Sequence, residues 1–154
     1  MKAIFLQLVL ICVIFSCKKD ETPTQILQKH NWLITGETIS PAVNINGTNI
    51  TDVYVLLNAC ARDNFIHFNS DKTITQDEGA SKCNTTDPQT KVAGKWDLSS
   101  DAKNLYLTDT DLSGLTGTLQ GVVNKLDNTE LNVTISNVKL NSSTVALTLK
   151  FTPK

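Results

Sequence analysis

Hydrophobic and polar residues alternate most regularly toward the end of the chain. Leu131, Val133 and Ile135 are separated by Asn132 and Thr134, and Val145, Leu147, Leu149 and Phe151 by Ala146, Thr148 and Lys150. A period of two puts alternate side chains on opposite faces of a strand, so both segments predict antiparallel strands with one dry face and one wet face. From Ile135 to Val138 the spacing turns odd and the apolar phase flips, which predicts a bulge near Ser136-Asn137. Gly117 and Gly121, inside another long apolar segment, allow similar curvature.

The same reading along the rest of the chain predicts strands over 32–39, 64–68, 73–76, 92–98, 104–108, 115–126, 130–140 and 144–152. Polar turn signals separate most of them, among them Ser70-Asp71-Lys72, Ser99-Ser100-Asp101 and Asp127-Asn128. Thr22-Pro23 predicts the start of a short helix over 25–29, and Pro41 is expected to close the first strand. The segment 51–60 is ambiguous: Val53-Tyr54-Val55 favours a strand, whereas Val53, Leu56, Leu57 and Cys60 fall at helical spacing behind Thr51-Asp52. A short helix is the expectation there. Eight bending antiparallel strands predict an all-β fold, an up-and-down barrel or a strongly curved sheet with one or two short helices.

The first residues follow a different pattern. Lys2 precedes an apolar run from Ile4 to Phe15 that is too short to span a bilayer as a helix and stops at Ser16-Cys17, so 1–16 reads as an export signal. Ile14-Phe15-Ser16-Cys17 resembles the lipobox of bacterial lipoproteins, which implies that Cys17 becomes the acylated first residue and that the membrane is a partner through N-terminal acyl chains. Each buried methylene of such chains contributes about 0.8 kcal/mol, and a second chain makes the attachment durable. Residues 17–24 are then a lipidated tether and 25–154 the domain. Lys18-Lys19-Asp20-Glu21 serves as a solvated tether, and it resembles the Lys-then-acidic signal of surface-displayed lipoproteins of the Bacteroidetes. The expected address is the outer membrane, lipid-anchored and facing the cell surface.

Export changes the meaning of the cysteines. Of the four, Cys12 leaves with the signal and Cys17 is committed to lipid, so Cys60 and Cys83 remain in an oxidising compartment and are expected to form one disulfide. A metal site is a poor rival, because the chain has only His30 and His67 to add to two thiols and neither stands at zinc-like spacing. A mature chain of about 140 residues suits one domain with one core. Loss of Lys2 takes the formal net charge from −1 to −2, so there is no basic surface for nucleic acid.

Several short elements gain force together. The helix leading into Trp32, the run Cys60-Ala61-Arg62-Asp63-Asn64 before Phe65 and Phe68, Asp77-Glu78-Gly79 with Cys83, and Gly94-Lys95-Trp96 resemble the lipocalin-like lipoprotein domains of the Bacteroidetes. The resemblance covers most of the mature chain and implies a fold and an address. It implies no reaction, and because the Gly-x-Trp falls in mid-chain rather than on the first strand, it implies no true lipocalin ligand mode.

Catalytic chemistry finds little support. His67 lies among Phe65, Ile66 and Phe68 with no readable nucleophile beside it, and His30 ends the leading helix, where it suits the helix dipole. No serine sits in a Gly-x-Ser-x-Gly turn. Asp63, Asp71, Asp77 and Glu78 cluster around a hairpin as solvated turn residues rather than a paired acid and base. Asp109-Thr110-Asp111-Leu112-Ser113-Gly114 resembles the start of a calcium loop, but Gln120 stands where a bidentate Glu belongs and the flanks read as strands, so it is a plain turn. No cofactor is called for.

Two classes of function remain, and neither is enzymatic. The first is a binding module that holds a small apolar or amphipathic ligand, with Trp32, Phe65, Phe68 and Trp96 as expected aromatic contacts. The second is a structural or accessory lipoprotein with a packed barrel that meets other surface proteins. The open volume inside the barrel separates the two.

Overall fold

Thr22 starts the first helix as the sequence predicts. Its hydroxyl accepts the backbone N–H of Gln25 at 3.3 Å, and the Gln25 side chain accepts the Thr22 N–H at 2.8 Å, a closed capping box with Pro23 in the first turn. The computed structural model describes residues 20–112, 115–140 and 142–154. The expected signal 1–16, the lipid site Cys17 and the tether as far as Lys19 lie outside the described residues, as do Ser113-Gly114 and Asn141.

Helix α1 (Pro23–Lys29) leads into β1 (Asn31–Ile45) and β2 (Thr48–Asp52). A 3₁₀ turn (Tyr54–Leu56) and the one-turn helix α2 (Ala59–Arg62) follow. The meander then runs through β3 (Phe65–Phe68), β4 (Thr73–Asp77), β5 (Thr90–Leu98), β6 (Asn104–Leu112), β7 (Leu115–Leu126), β8 (Leu131–Leu140) and β9 (Ser143–Pro153). Every pairing is antiparallel, and β9 returns to pair with β1 from Trp32↔Pro153 to Ser40↔Ala146. Eight strands thereby close an up-and-down barrel, and β2 is an extra strand on β1. Closure removes the unpaired edges that an open sheet of this size would present.

The inward set is the apolar phase of each strand: Ile66 and Phe68, Leu105 and Leu107, Leu131, Val133 and Ile135, and Val145, Leu147, Leu149 and Phe151 are all buried. The odd spacing in β8 is a bulge between Ile135 and Val138, with Asn137 in the left-handed region at φ 61°. Gly117, at φ 88°, sits where the β6–β7 register shifts, and a Cβ on Gly121 would fall 2.2 Å from Val133 Cγ1, so both glycines are where strands bend or cross closely.

Two expectations are corrected. Pro41 does not close the first strand: β1 continues past it to Ile45 and folds back through Asn46-Gly47 onto β2, the register on that side breaking between Thr38 and Val43 where Pro41 has no N–H to give. Nor is 51–60 a helix. Thr51 and Asp52 are taken into β2, the Asp52 carboxylate accepts the Tyr54 N–H at 3.0 Å as a turn, and only Tyr54–Leu56 and Ala59–Arg62 coil.

The two ends of the barrel differ. Helix α1 covers one end: Leu27 is fully buried there, its carbonyl accepts the Trp32 indole N–H at 2.9 Å, and Lys29 and His30 reach Asn128 in the β7–β8 turn. The far ends of β1, β6 and β8 stand at the opposite rim, beneath the segment that includes the 3₁₀ turn.

Candidate functional site

A cavity of about 330 Å³ opens at the rim opposite α1. Ile39 and Ile45 of β1, Leu115 of β7, Val138 and Leu140 of β8, and Val145 and Leu147 of β9 line its walls. Val53, Leu56 and Leu57 lie over it. A small internal void of about 30 Å³ lies deeper, lined by apolar side chains alone; Leu115 and Leu149 border both spaces and form the floor between them. The barrel is therefore packed in its α1 half and open in the other. Ligand sites typically occupy roughly 300–1,000 Å³ and pair an apolar lining with few polar groups, which places the rim cavity at the small end of that class.

The segment over the cavity is held by specific bonds. The Val53 N–H donates to the Glu37 carbonyl at 2.9 Å. Arg62 of α2 donates to the Leu57 carbonyl at 3.0 Å and the Val55 carbonyl at 2.8 Å, and its guanidinium lies 5.4 Å from the Tyr54 ring centroid. Val55 and Leu56 remain 56 % and 55 % exposed at the lip. Large apolar side chains left in water beside an apolar opening suit contact with a ligand or a surface.

Helix α2 is itself clamped. Cys60 and Cys83 form the expected disulfide, with Cα atoms 5.1 Å apart. The Asp63 carboxylate accepts the Ala80 and Ser81 N–H groups, each at 2.9 Å, and the Ser81 hydroxyl at 3.0 Å. Burial pushes the Asp63 carboxyl up, but these donors together outweigh it and hold the group below its ordinary value. Asp77 accepts the Gly79 N–H and the Gln89 amide, Asp71 accepts both the N–H and hydroxyl of Thr73, and Glu78 accepts the Gln76 amide. Asp71 and Asp77 are thus spent on turns, as the sequence suggests, whereas Asp63 is not a solvated turn residue but ties α2 to the loop after β4, so Cys-x-x-Asp-Asn with Asp-Glu-Gly is a loop clasp.

Two of the described residues that line the cavity are charged, the exposed Lys139 of β8 and the buried Glu37 of β1. Glu37 is 6 % exposed, faces Leu149 in the register with β9, and its Oε1 has no hydrogen-bond partner among the described residues. Burial, and then the nearby Asp52 charge, raise its carboxyl above the ordinary value. The sequence reading did not single out Glu37. Its signal lies in the phase: Trp32 and Ile34 are inward, a bulge falls between Ile34 and Gly36, and Glu37 then shares the inward parity of Ile39.

The four expected aromatic contacts stand elsewhere. Trp32 is fully buried against α1. Phe68 and Trp96 meet edge to face at 5.5 Å, with the Trp96 N–H bonded to the Asn69 carbonyl at 3.0 Å and Lys72 over its ring. Phe65 is half-buried under the Lys154 ammonium, 4.0 Å from its centroid. None of the four lines the rim cavity; Phe68 borders the small internal void. Of the histidines, His67 Nδ1 meets the His30 carbonyl at 3.2 Å and His30 Nε2 meets Asn128 Oδ1 at 2.9 Å, so both join α1 to the barrel. The turn expected from Asp109 onward is instead strand as far as Leu112: Asp109 and Asp111 belong to β6, where they pair with Lys95 and Lys91, and Thr110 between them is buried, while Ser113-Gly114 lie outside the described residues. Among the described residues no group of three or more His, Cys, Asp or Glu comes together to hold a metal.

Compared with protein-family models, curated proteins and solved structures, the chain finds no match.

Proposed function

We propose that this chain is an outer-membrane lipoprotein, anchored through Cys17, whose barrel holds a small amphipathic molecule at its rim without transforming it. The observation that carries the reading is the 330 Å³ apolar cavity open at the end opposite α1. In support, the candidate acids elsewhere are committed to turns and to the loop clasp, and both histidines to joining α1 to the barrel. An anchor at Cys17 leads through the tether into α1, so under this reading the cavity faces away from the bilayer and draws its ligand from the aqueous side. Glu21 supports such a mooring, since its carboxylate pairs with Lys29 at 2.8 Å and accepts the Asn128 amide at 2.8 Å.

Native mass spectrometry of the protein purified from its own envelope tests both halves of the proposal. The expected spectrum carries acyl mass on the peptide that begins at Cys17 and a small molecule released by collisional activation. An unacylated peptide would reject the anchor, and a ligand-free barrel under conditions that retain other lipoprotein ligands would favour an accessory protein with a structural barrel.

A further inference from the structure

Resting on that reading of the rim cavity, we propose that its ligand is a cationic amphiphile whose ammonium group pairs with Glu37 and whose apolar tail lies along the cavity wall. Glu37 is more than nine-tenths buried, lines the cavity and leaves Oε1 without a partner among the described residues. Buried polar atoms are nearly always bonded, so an orphaned carboxylate oxygen beside an open apolar cavity marks the place where a ligand's donor belongs. Among the described residues no ion pair reaches Glu37.

The charges around it select the sign of the ligand. Asp52 of β2, paired in register with Thr38 next to Glu37, adds a second negative charge. Lys139 of β8 is the one cation among the described lining residues, and it lies exposed at the rim with its ammonium on the Thr144 hydroxyl. An ammonium satisfies the orphan oxygen and offsets both acids. A hydroxyl does only the first, and a carboxylate would add a third negative charge. Among the described residues the rest of the lining, with Ile39, Val53, Leu57, Val145 and Leu147, offers no polar side chain to a longer polar ligand, which favours a compact cationic head.

The raised Glu37 carboxyl gives a second signature. An ammonium favours the ionised acid, so binding near or below the raised value releases a proton, while a primary amine stays charged throughout that range.

The test is calorimetric titration of the full chain in its Cys17→Ala form, free of detergent, with octylamine, octanol and octanoate. Octylamine is expected to bind at least tenfold tighter than octanol at pH 7.5, and Glu37→Gln should remove that preference. A cooperative thermal melt of Glu37→Gln no lower than that of wild type shows that the variant is folded. In the unmutated pocket, octylamine affinity should fall as pH drops through the raised Glu37 value, with proton release visible as a buffer-dependent heat. Equal affinity for all three probes, or a preference for octanoate, overturns the cationic ligand while leaving the pocket in place. Binding of none of them rejects the pocket itself.

Discussion

At the scale of single residues, the positions that matter most are those where the backbone or a charge has no ordinary alternative. Gly94 of the Gly-x-Trp element is one. Its φ is +135°, and a Cβ there would lie 2.9 Å from the Thr108 carbonyl and 3.1 Å from Thr110 Cα, so β5 can cross β6 only without a side chain at this point. Gly94→Ala should destabilise the domain by roughly 1–3 kcal/mol from the backbone conformation alone, with the close approach adding to it, measured by urea unfolding. Glu37 is the other. Its carboxyl is raised when folded, so the pH-dependent cost of its burial is absent below the ordinary value of 4.5 and grows as pH rises through the folded value. Glu37→Gln does not titrate and should therefore match wild type near pH 4 but melt higher at pH 8; a gap that narrows with rising pH would contradict the assignment. Neither role is visible in a linear reading. Gly94 announces itself only as part of a short element, and a lone acid in a strand looks solvated until the bulge after Ile34 fixes which way it faces.

Among the elements, the regular strands were legible because one face of each is dry. The flip between Ile135 and Val138 even revealed the β8 bulge, since a change of phase has few other causes. The region between β1 and β3 was not, and the reason is physical. Val53, Leu56 and Leu57 do share a direction, as the helical spacing implies, but that direction is the cavity rather than a helix seat. The β2 hairpin was hidden by Pro41, which usually ends strands but here lies where the β1–β2 ladder is already interrupted. What holds this irregular part is the Cys60–Cys83 clamp, 23 residues apart in sequence. A loop of that size is worth about 3 kcal/mol in the chain-entropy model, so replacing both cysteines by alanine should lower the melting temperature by on the order of 10 °C. Because α2 carries Arg62 and Arg62 carries the cavity's cover, the same variant should also weaken binding of a rim ligand. Unchanged melting would show that the Asp63 hydrogen bonds suffice without the bond.

At the scale of the whole molecule, the two ends of the barrel divide the work. The α1 end is sealed by Leu27, Trp32, Phe68 and Trp96, so these three aromatic rings fill the packed end and stand away from the rim cavity: large rings are most useful where packing is complete. The proposed acyl anchor at Cys17 precedes α1, at that sealed end, and so would not compete with the open rim for space. Cys17→Ala should leave the protein exported but move it from the membrane pellet to the soluble fraction, and a variant that stays in the pellet would exclude an acyl anchor at this residue. The central claim, that the rim cavity is a ligand site, is met most directly by methyl-resolved NMR of the folded chain during titration with octylamine. Saturable shifts should be confined to Ile39, Val53, Leu57, Val138, Val145 and Leu147, with Leu105, Leu131 and Val133 in the sealed half unmoved. No saturable change at the rim, or shifts centred on the exposed outer residues Val92 and Val122, would contradict it.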